Sequence, residues 1–227
     1  MKIAIIGAMR EEVENLILKL DQLQEHHIHP YTFYTGVLHH HDLVIVKAGV
    51  GKVASGMLIA TLVQHFTIDQ VINMGVAGGL GAIKVGDIVV GTSCIYGDVD
   101  ITAGSDYVYG QMSHCPLAFP GSERVLQVTT SMEAHHATIM SNDSFTTDLK
   151  ATNRLIKKHF SAFDVRAVDM ESCAFAQACY VLGLPFIAIR AISDVVGSSN
   201  QTVSFFDNLD EACKCSNDFI LDLLKKL

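Results

Sequence analysis

The chain has 227 residues, 49% of them hydrophobic and 18% charged, which suits one α/β domain spanning residues 1–227 with a sizeable buried core. A formal net charge of −8 argues against a broad nucleic-acid footprint, because phosphates call for Lys and Arg, and fits small neutral or cationic ligands better. No apolar run approaches a membrane span, residues 3–6 are too short for a secretory h-region, and the six cysteines contain no C-x-x-C pair, so the expectation is a cytoplasmic protein with reduced, packed cysteines and no membrane partner.

In chain order, Lys2–Ile6 reads as a buried strand and Arg10–Leu20 as an amphipathic helix with Val13, Leu16, Ile17 and Leu20 on one face. Tyr31–Leu38 and Leu43–Ala48 form a strand pair across His39, His40 and His41, which are expected in a solvated turn. Val53–Phe66 is a helix, and Val71–Met74 a buried strand running into the glycine-rich segment Gly75–Gly81. Asp87–Gly91 is a further strand. Ile95–Pro120 has no period and reads as a long functional loop or interface segment. Thr138–Ser141 is a short strand, Thr147–His159 a helix, and Val165–Val168 a strand feeding the helix Asp169–Leu182, which ends at Gly183 and Pro185. Phe186–Ile192 is the last strong strand and Asp207–Leu224 the terminal helix. This alternation implies a largely parallel sheet covered on both faces.

In such sheets ligands bind beyond the carboxyl ends of the strands. Three of those ends carry acids: Glu12 after the first strand, Asp169 and Glu171 after Val165–Val168, and Asp194 after Phe186–Ile192. Carboxylates of unequal pKa in one pocket can divide proton donation from proton removal. Asp169 fits a helix cap. Glu171, in the first turn and flanked by apolar residues, fits an ionised, partly buried carboxylate that accepts hydroxyl hydrogen bonds. Arg190 lies inside an apolar strand and needs a partner, for which Glu171 and Glu12 are the candidates. Gly49–Ala54 matches G-x-G-x-x-A with Asp69 downstream, a dinucleotide-binding candidate weighed against a tight turn with close helix packing, which is favoured because the fingerprint normally follows the first strand. Gly75–Gly81 offers backbone N–H groups to an anion or a close turn against a planar ligand, though it contains no Lys or Arg. The histidines show no convincing metal spacing, and Ser172 and Ser193 lack a G-x-S-x-G setting.

Gly7–Val13, Val50–Ala54, Ala77–Gly79, Lys84–Val89, Val168–Glu171 and Arg190–Asp194 together resemble the 5'-methylthioadenosine/S-adenosylhomocysteine nucleosidases of the nucleoside phosphorylase superfamily, over the whole length and with nearly collinear spacing. The resemblance implies a single-domain α/β three-layer sandwich with a mixed, largely parallel sheet. It implies a hydrolase without cofactor or metal that separates adenine from a 5'-thio-substituted ribose. Asp194 would protonate adenine N7, Glu12 would activate water, and Glu171 would hold the ribose hydroxyls with Met170 against the sugar. Arg190 would position the acids, Phe145 would stack on the purine, and the Thr146 backbone would read its edge. Ala77 and Gly78 would line the sugar side, with Met9, Val168 and Ser193 completing the substrate-binding set. A homodimer is implied, the partner closing the 5' pocket with the stretch near Ile101–Tyr107. Four positions, Val76, Arg10, Asp169 and Thr146, and the segment Gly104–Asp106 depart from the family pattern. Arg10, a cation beside the site, keeps purine nucleoside phosphorolysis as the alternative.

Overall fold

The computed structural model describes Met1–Leu227. The first strand, β1 (Lys2–Gly7), is apolar enough to be buried on both sides and leads into α1 (Arg10–Ile17), whose Val13 and Leu16 face the core. A polar strand, β2 (Asp21–Ile28), follows and pairs with β3 (Tyr31–Leu38), which turns back into β4 (His41–Lys47). Then come α2 (Lys52–His65), the long strand β5 (Gln70–Gly79) and β6 (Ile88–Tyr96). Beyond them lie β7 (Phe119–Pro120), α3 (Glu123–Thr129), β8 (His135–Ser141) and α4 (Leu149–His159). β9 (Val165–Asp169), α5 (Ser172–Leu182), β10 (Phe186–Val195) and α6 (Gln201–Lys226) complete the chain.

β1 lies between β4 and β5, parallel to both, and β10 runs parallel to β5 on its other side. β6 pairs antiparallel with β10 and parallel with β8, β8 parallel with β9, and β9 antiparallel with the end of β5. Those last pairings close β5, β10, β6, β8 and β9 into a ring, while β4, β3 and β2 extend the sheet from β1. The sheet is therefore mixed and flanked by six helices. One face is covered by α2 and α5 around Leu58, Ile59, Leu62, Phe175 and Cys179, the other by α1 and α6 around Val13, Leu16, Ile220 and Leu223. No helix is long and apolar enough to cross a membrane.

Several elements differ from the sequence reading. β2 is absent from it because Asp21–Ile28 is mostly exposed and carries no apolar alternation. The glycine segment after Met74 is not a loop: Gly75–Gly79 continues β5. β6 continues to Tyr96, and β10 runs past Ile192 to include Ser193 and Asp194. α6 starts at Gln201, six positions before the expected Asp207. His39 and His40 do form the β3–β4 turn with positive φ, but His41 belongs to β4, is buried, and bonds the Leu224 carbonyl at 3.1 Å.

Candidate active site

Glu12 is fixed by main chain. It is the third residue of α1, and its Oε2 accepts from the amides of Ala8 (2.6 Å) and Met9 (3.0 Å) while Oε1 accepts from Val76 N (3.1 Å). The Met9 bond is the reciprocal half of a capping box, so the helix start that needs a partner for its N–H groups also aims the carboxylate. Gly75 makes the approach possible. At φ +155° its backbone brings β5 so near that a Cβ would lie 2.5 Å from Glu12 Oε1. Burial raises the proton affinity of Glu12, opposed by the Met9 amide, the Arg190 charge, and the Val76 and Ala8 amides. A buried carboxylate held in place but reluctant to stay charged has the character of a base that takes a proton from a neighbour.

Arg190 pairs with neither Glu171 nor Glu12. Its Nε and Nη2 meet Asp169 Oδ2 at 3.0 and 2.8 Å, and Nη1 donates to the carbonyls of Asn73 (3.0 Å) and Ile189 (3.1 Å), with Nη2 also on Asn73 Oδ1. Asp169 ends β9 within the ring that also contains β10, which brings it under the guanidinium, while Glu171 lies two residues on. Asp169 is at once ion-pair partner and cap. Its Oδ2 accepts from Ser172 N at 3.1 Å and from Ser172 Oγ, and its Oδ1 accepts from Ser141 Oγ. A buried charge with both carboxylate oxygens hydrogen-bonded is the condition under which such a pair is tolerated.

Glu171 stands at the N-cap of α5, where Oε1 accepts from Gly51 N at 2.9 Å. The helix start that favours an ionised carboxylate is opposed here by the surroundings. Burial, then the negative charge of Asp169, push its pKa up to about 7, against the pull of Arg190 and the Gly51 amide. The glycine turn is thereby explained: Gly51 (φ +96°) caps α2 and lends its N–H to Glu171. The dinucleotide reading fails on topology, since Asp69 precedes β5, at the opposite end of the sheet from Gly51, and accepts from Lys2 N at 2.8 Å.

Asp194 is aimed by a bulge. The β10–β5 register slips between Ile192 and Asp194, so that Asp194 falls opposite Gly78, which has Val168 of β9 on its other side. Ser193 Oγ donates to Asp194 Oδ1 at 2.7 Å and Gln201 Nε2 to Oδ2 at 2.8 Å. A Cβ on Gly78 would come within 3.2 Å of Asp194 Oδ2 and of Val168.

Glu12, Glu171 and Asp194 open into one concave cleft continuous with solvent, half of its lining residues apolar and the rest convergent polar groups. Met9, Ala77, Gly78, Phe145, Thr146, Val168, Met170 and Ser193 line it too. Arg190, 2% exposed, lies behind the wall; it bonds the lining acid Asp169 and reaches Glu12 and Glu171 through its charge. Ala8, Val50, Val76, Ser144 and Asp169, all from strand ends, also line the cleft, as do Gln201 and Phe205, which the sequence did not bring to the site. For Gln201 and Phe205 a signal existed: with Asn208 and Ala212 they recur at helical spacing, but the exposed Val203 and Phe206 blur that face. Phe145 and Phe205 meet edge to face, centroids 5.5 Å apart. Arg10 points away, paired at the surface with Glu14 at 2.7 Å.

This buried acid cluster, at strand ends of a mixed sheet, coincides with a match to the phosphorylase superfamily over residues 2–225. A 5'-methylthioadenosine/S-adenosylhomocysteine nucleosidase of Bacillus licheniformis is 38% identical, with all of each chain covered. Among solved structures, the nucleosidase of that name from Streptococcus pneumoniae, in complex with 8-aminoadenine, is 40% identical with a TM-score of 0.93 and full coverage of both chains. The Colwellia psychrerythraea nucleosidase, in complex with adenine, is 36% identical with a TM-score of 0.93, covering 100% of this chain and 96% of that one. The chain belongs to the 5'-methylthioadenosine/S-adenosylhomocysteine nucleosidases, a family of N-glycosidic bond hydrolases within that superfamily.

Proposed function

We propose that the chain hydrolyses the N-glycosidic bond of 5'-methylthioadenosine and S-adenosylhomocysteine, and of 5'-deoxyadenosine, to adenine and the 5'-substituted ribose. The observation that carries this reading is the convergence of Glu12, Glu171 and Asp194 on one cleft, each buried and each held by a different set of donors. Ribosyl C–N cleavage passes through an oxocarbenium-like state in which the sugar becomes positive and the base negative. Anionic carboxylates near the ribose stabilise the first charge, and a proton or hydrogen bond delivered to N7 stabilises the second.

In this reading Asp194 supplies N7, Glu12 draws the proton from the attacking water, and Glu171 accepts from the ribose hydroxyls with Met170 beneath the sugar. Phe145 stacks on the purine, Thr146 meets its edge through backbone, and Met9, Ala77, Gly78, Val168 and Ser193 shape the remaining wall. Phosphorolysis draws no support from Arg10, whose charge is spent on Glu14 at the surface. The test is adenine release from methylthioadenosine in phosphate-free buffer. Undiminished hydrolysis there, with free methylthioribose as the product, supports the reading; a requirement for phosphate, with a sugar 1-phosphate as product, sinks it.

The reading includes a homodimer in the cytoplasm. Exposed Val53, Met57, Val181 and Leu182 lie along α2 and α5, Val53, Val181 and Leu182 within one apolar groove, and Val50 beside them reaches the cleft rim. Light scattering behind size exclusion tests it, with a mass near one chain as the opposing result.

A further inference from the structure

Gln201 carries a polar side chain into the cleft, yet it is only 5% exposed. Its amide group is fully committed. Nε2 donates to the Thr146 carbonyl at 2.8 Å and to Asp194 Oδ2 at 2.8 Å, and Oε1 accepts from Gly197 N at 2.8 Å. A carboxamide nitrogen has two hydrogens in one plane, and both are used here. The exocyclic amine of a 6-aminopurine is also a planar NH₂ group, located beside N7. A purine that gives N7 to Asp194 therefore carries its amine toward the same pair of acceptors. Two nitrogens cannot share that place.

We propose that Gln201 is a positioning residue whose amide stands in for the 6-amino group of the purine, holding Asp194 and the Thr146 carbonyl in register until the base displaces it. This rests on the proposal above that the cleft takes an adenine nucleoside. The surrounding geometry accommodates such an exchange. Gln201 is the first residue of α6 and follows the exposed turn Gly197–Asn200, with Gly197 at φ +78°. Phe205, one turn further on the same helix face, packs on Phe145, so withdrawal of Gln201 moves one half of the aromatic pair that flanks the cleft. The exchange also favours 6-amino over 6-oxo purines. A carbonyl at that position would face two acceptors and could not replace the donors it expels.

The experiment compares the binding of adenine and of unsubstituted purine to wild type, Gln201→Ala and Gln201→Met. Purine lacks the amine and has no reason to displace the amide. Replacing one pair of hydrogen bonds by another leaves a net difference of about 1 kcal/mol, or roughly fivefold. The expected result is an adenine-to-purine affinity ratio raised about fivefold in both variants, with cooperative melting retained. A purely structural role would shift both ligands alike and leave the ratio unchanged, which overturns the inference, as does a fall in the ratio. In wild type, the Gln201 side-chain NH₂ resonances, assigned by through-bond correlation to the Gln201 backbone, should shift on addition of adenine but not of purine. Unmoved resonances overturn the inference even if the variants fail to fold. A wild type that binds no adenine overturns the adenine reading as well, whereas adenine binding with an unaltered ratio overturns the role of Gln201 alone.

Discussion

Glu12 and Asp194 are almost equally deep, 3% and 1% exposed, but they are held by different kinds of group. Three main-chain amides grip Glu12, and a glycine of β5 leaves room for it. Asp194 is met by two side chains, one of them at the start of a helix. Backbone donors within a strand and a helix cap have no rotamer to change, so the end of the cleft assigned to water is preorganised. Side-chain donors can leave, so the end assigned to the purine can exchange partners. Hydrolysis gains from this division: the nucleophile is small and always the same, whereas the base must enter and depart.

Four measurements sharpen or break the comparison. The largest effect is expected from Asp194→Asn and Glu12→Gln, each lowering the turnover of methylthioadenosine by about 10²–10⁴-fold while cooperative melting persists. Near-normal turnover by either would remove that residue from the chemistry. Next, Gly75→Ala places a methyl group 2.5 Å from Glu12 Oε1, in a strand that cannot easily yield. Displacement of that scale should reduce kcat about 100-fold while leaving adenine affinity close to wild type. Gly78→Ala, whose Cβ would stand 3.2 Å from Asp194 Oδ2, is the counterpart at the adaptable end. It should cost about tenfold, seen mainly as weaker adenine binding, because side-chain donors give way where amides do not. Equal kcat losses in the two glycine variants would show that both ends are equally rigid.

The smallest effect concerns Glu171, with its pKa of about 7. Its folded-state value is raised, so between the ordinary carboxylate range and about pH 7 the folded chain binds more protons than the unfolded one. Stability linked to this group therefore falls as pH rises through that window and is level above it. Urea denaturation from pH 5 to 8 should show the decline in wild type and a smaller one in Glu171→Gln, where the raised proton affinity of buried Glu12 still contributes. KM for methylthioadenosine should rise a few-fold as the pH drops below about 7 in wild type, because a protonated carboxyl group accepts less well from ribose hydroxyls. A KM independent of pH across that range would detach Glu171 from the sugar.

Much of the site was legible because its acids follow apolar strands. Lys2–Ile6, Val165–Val168 and Phe186–Ile192 are short runs too hydrophobic to lie at a surface, and each ends on a carboxylate or leads to one within a few residues. The partners of those acids were not legible. Arg190 needed an acid, but that it is Asp169 depends on β9 and β10 joining the same closed ring through β6 and β8, and no local pattern encodes those pairings. β2 and α3 escaped notice for plainer reasons, one being polar throughout and the other seven residues long. The Gly49–Ala54 turn shows the limit from the other side. Its motif was visible, but its role, an amide for Glu171, lies 120 positions away.

The sequence by itself determined the alternation of apolar strands and helices, and with it the α/β class, the family, and the strand ends where acids would gather. Only the tertiary structure decided which donor faces each acid: Glu12 with the amides of β5 and its own helix cap, Glu171 with Gly51, Asp169 with Arg190, and Asp194 with Gln201. The reason is physical. Hydrophobic periodicity is a local property, read within a few residues of each position. The proton affinity of a buried carboxylate is set by desolvation and by donors and charges within a few ångströms in space, and the fold draws those from distant parts of the chain.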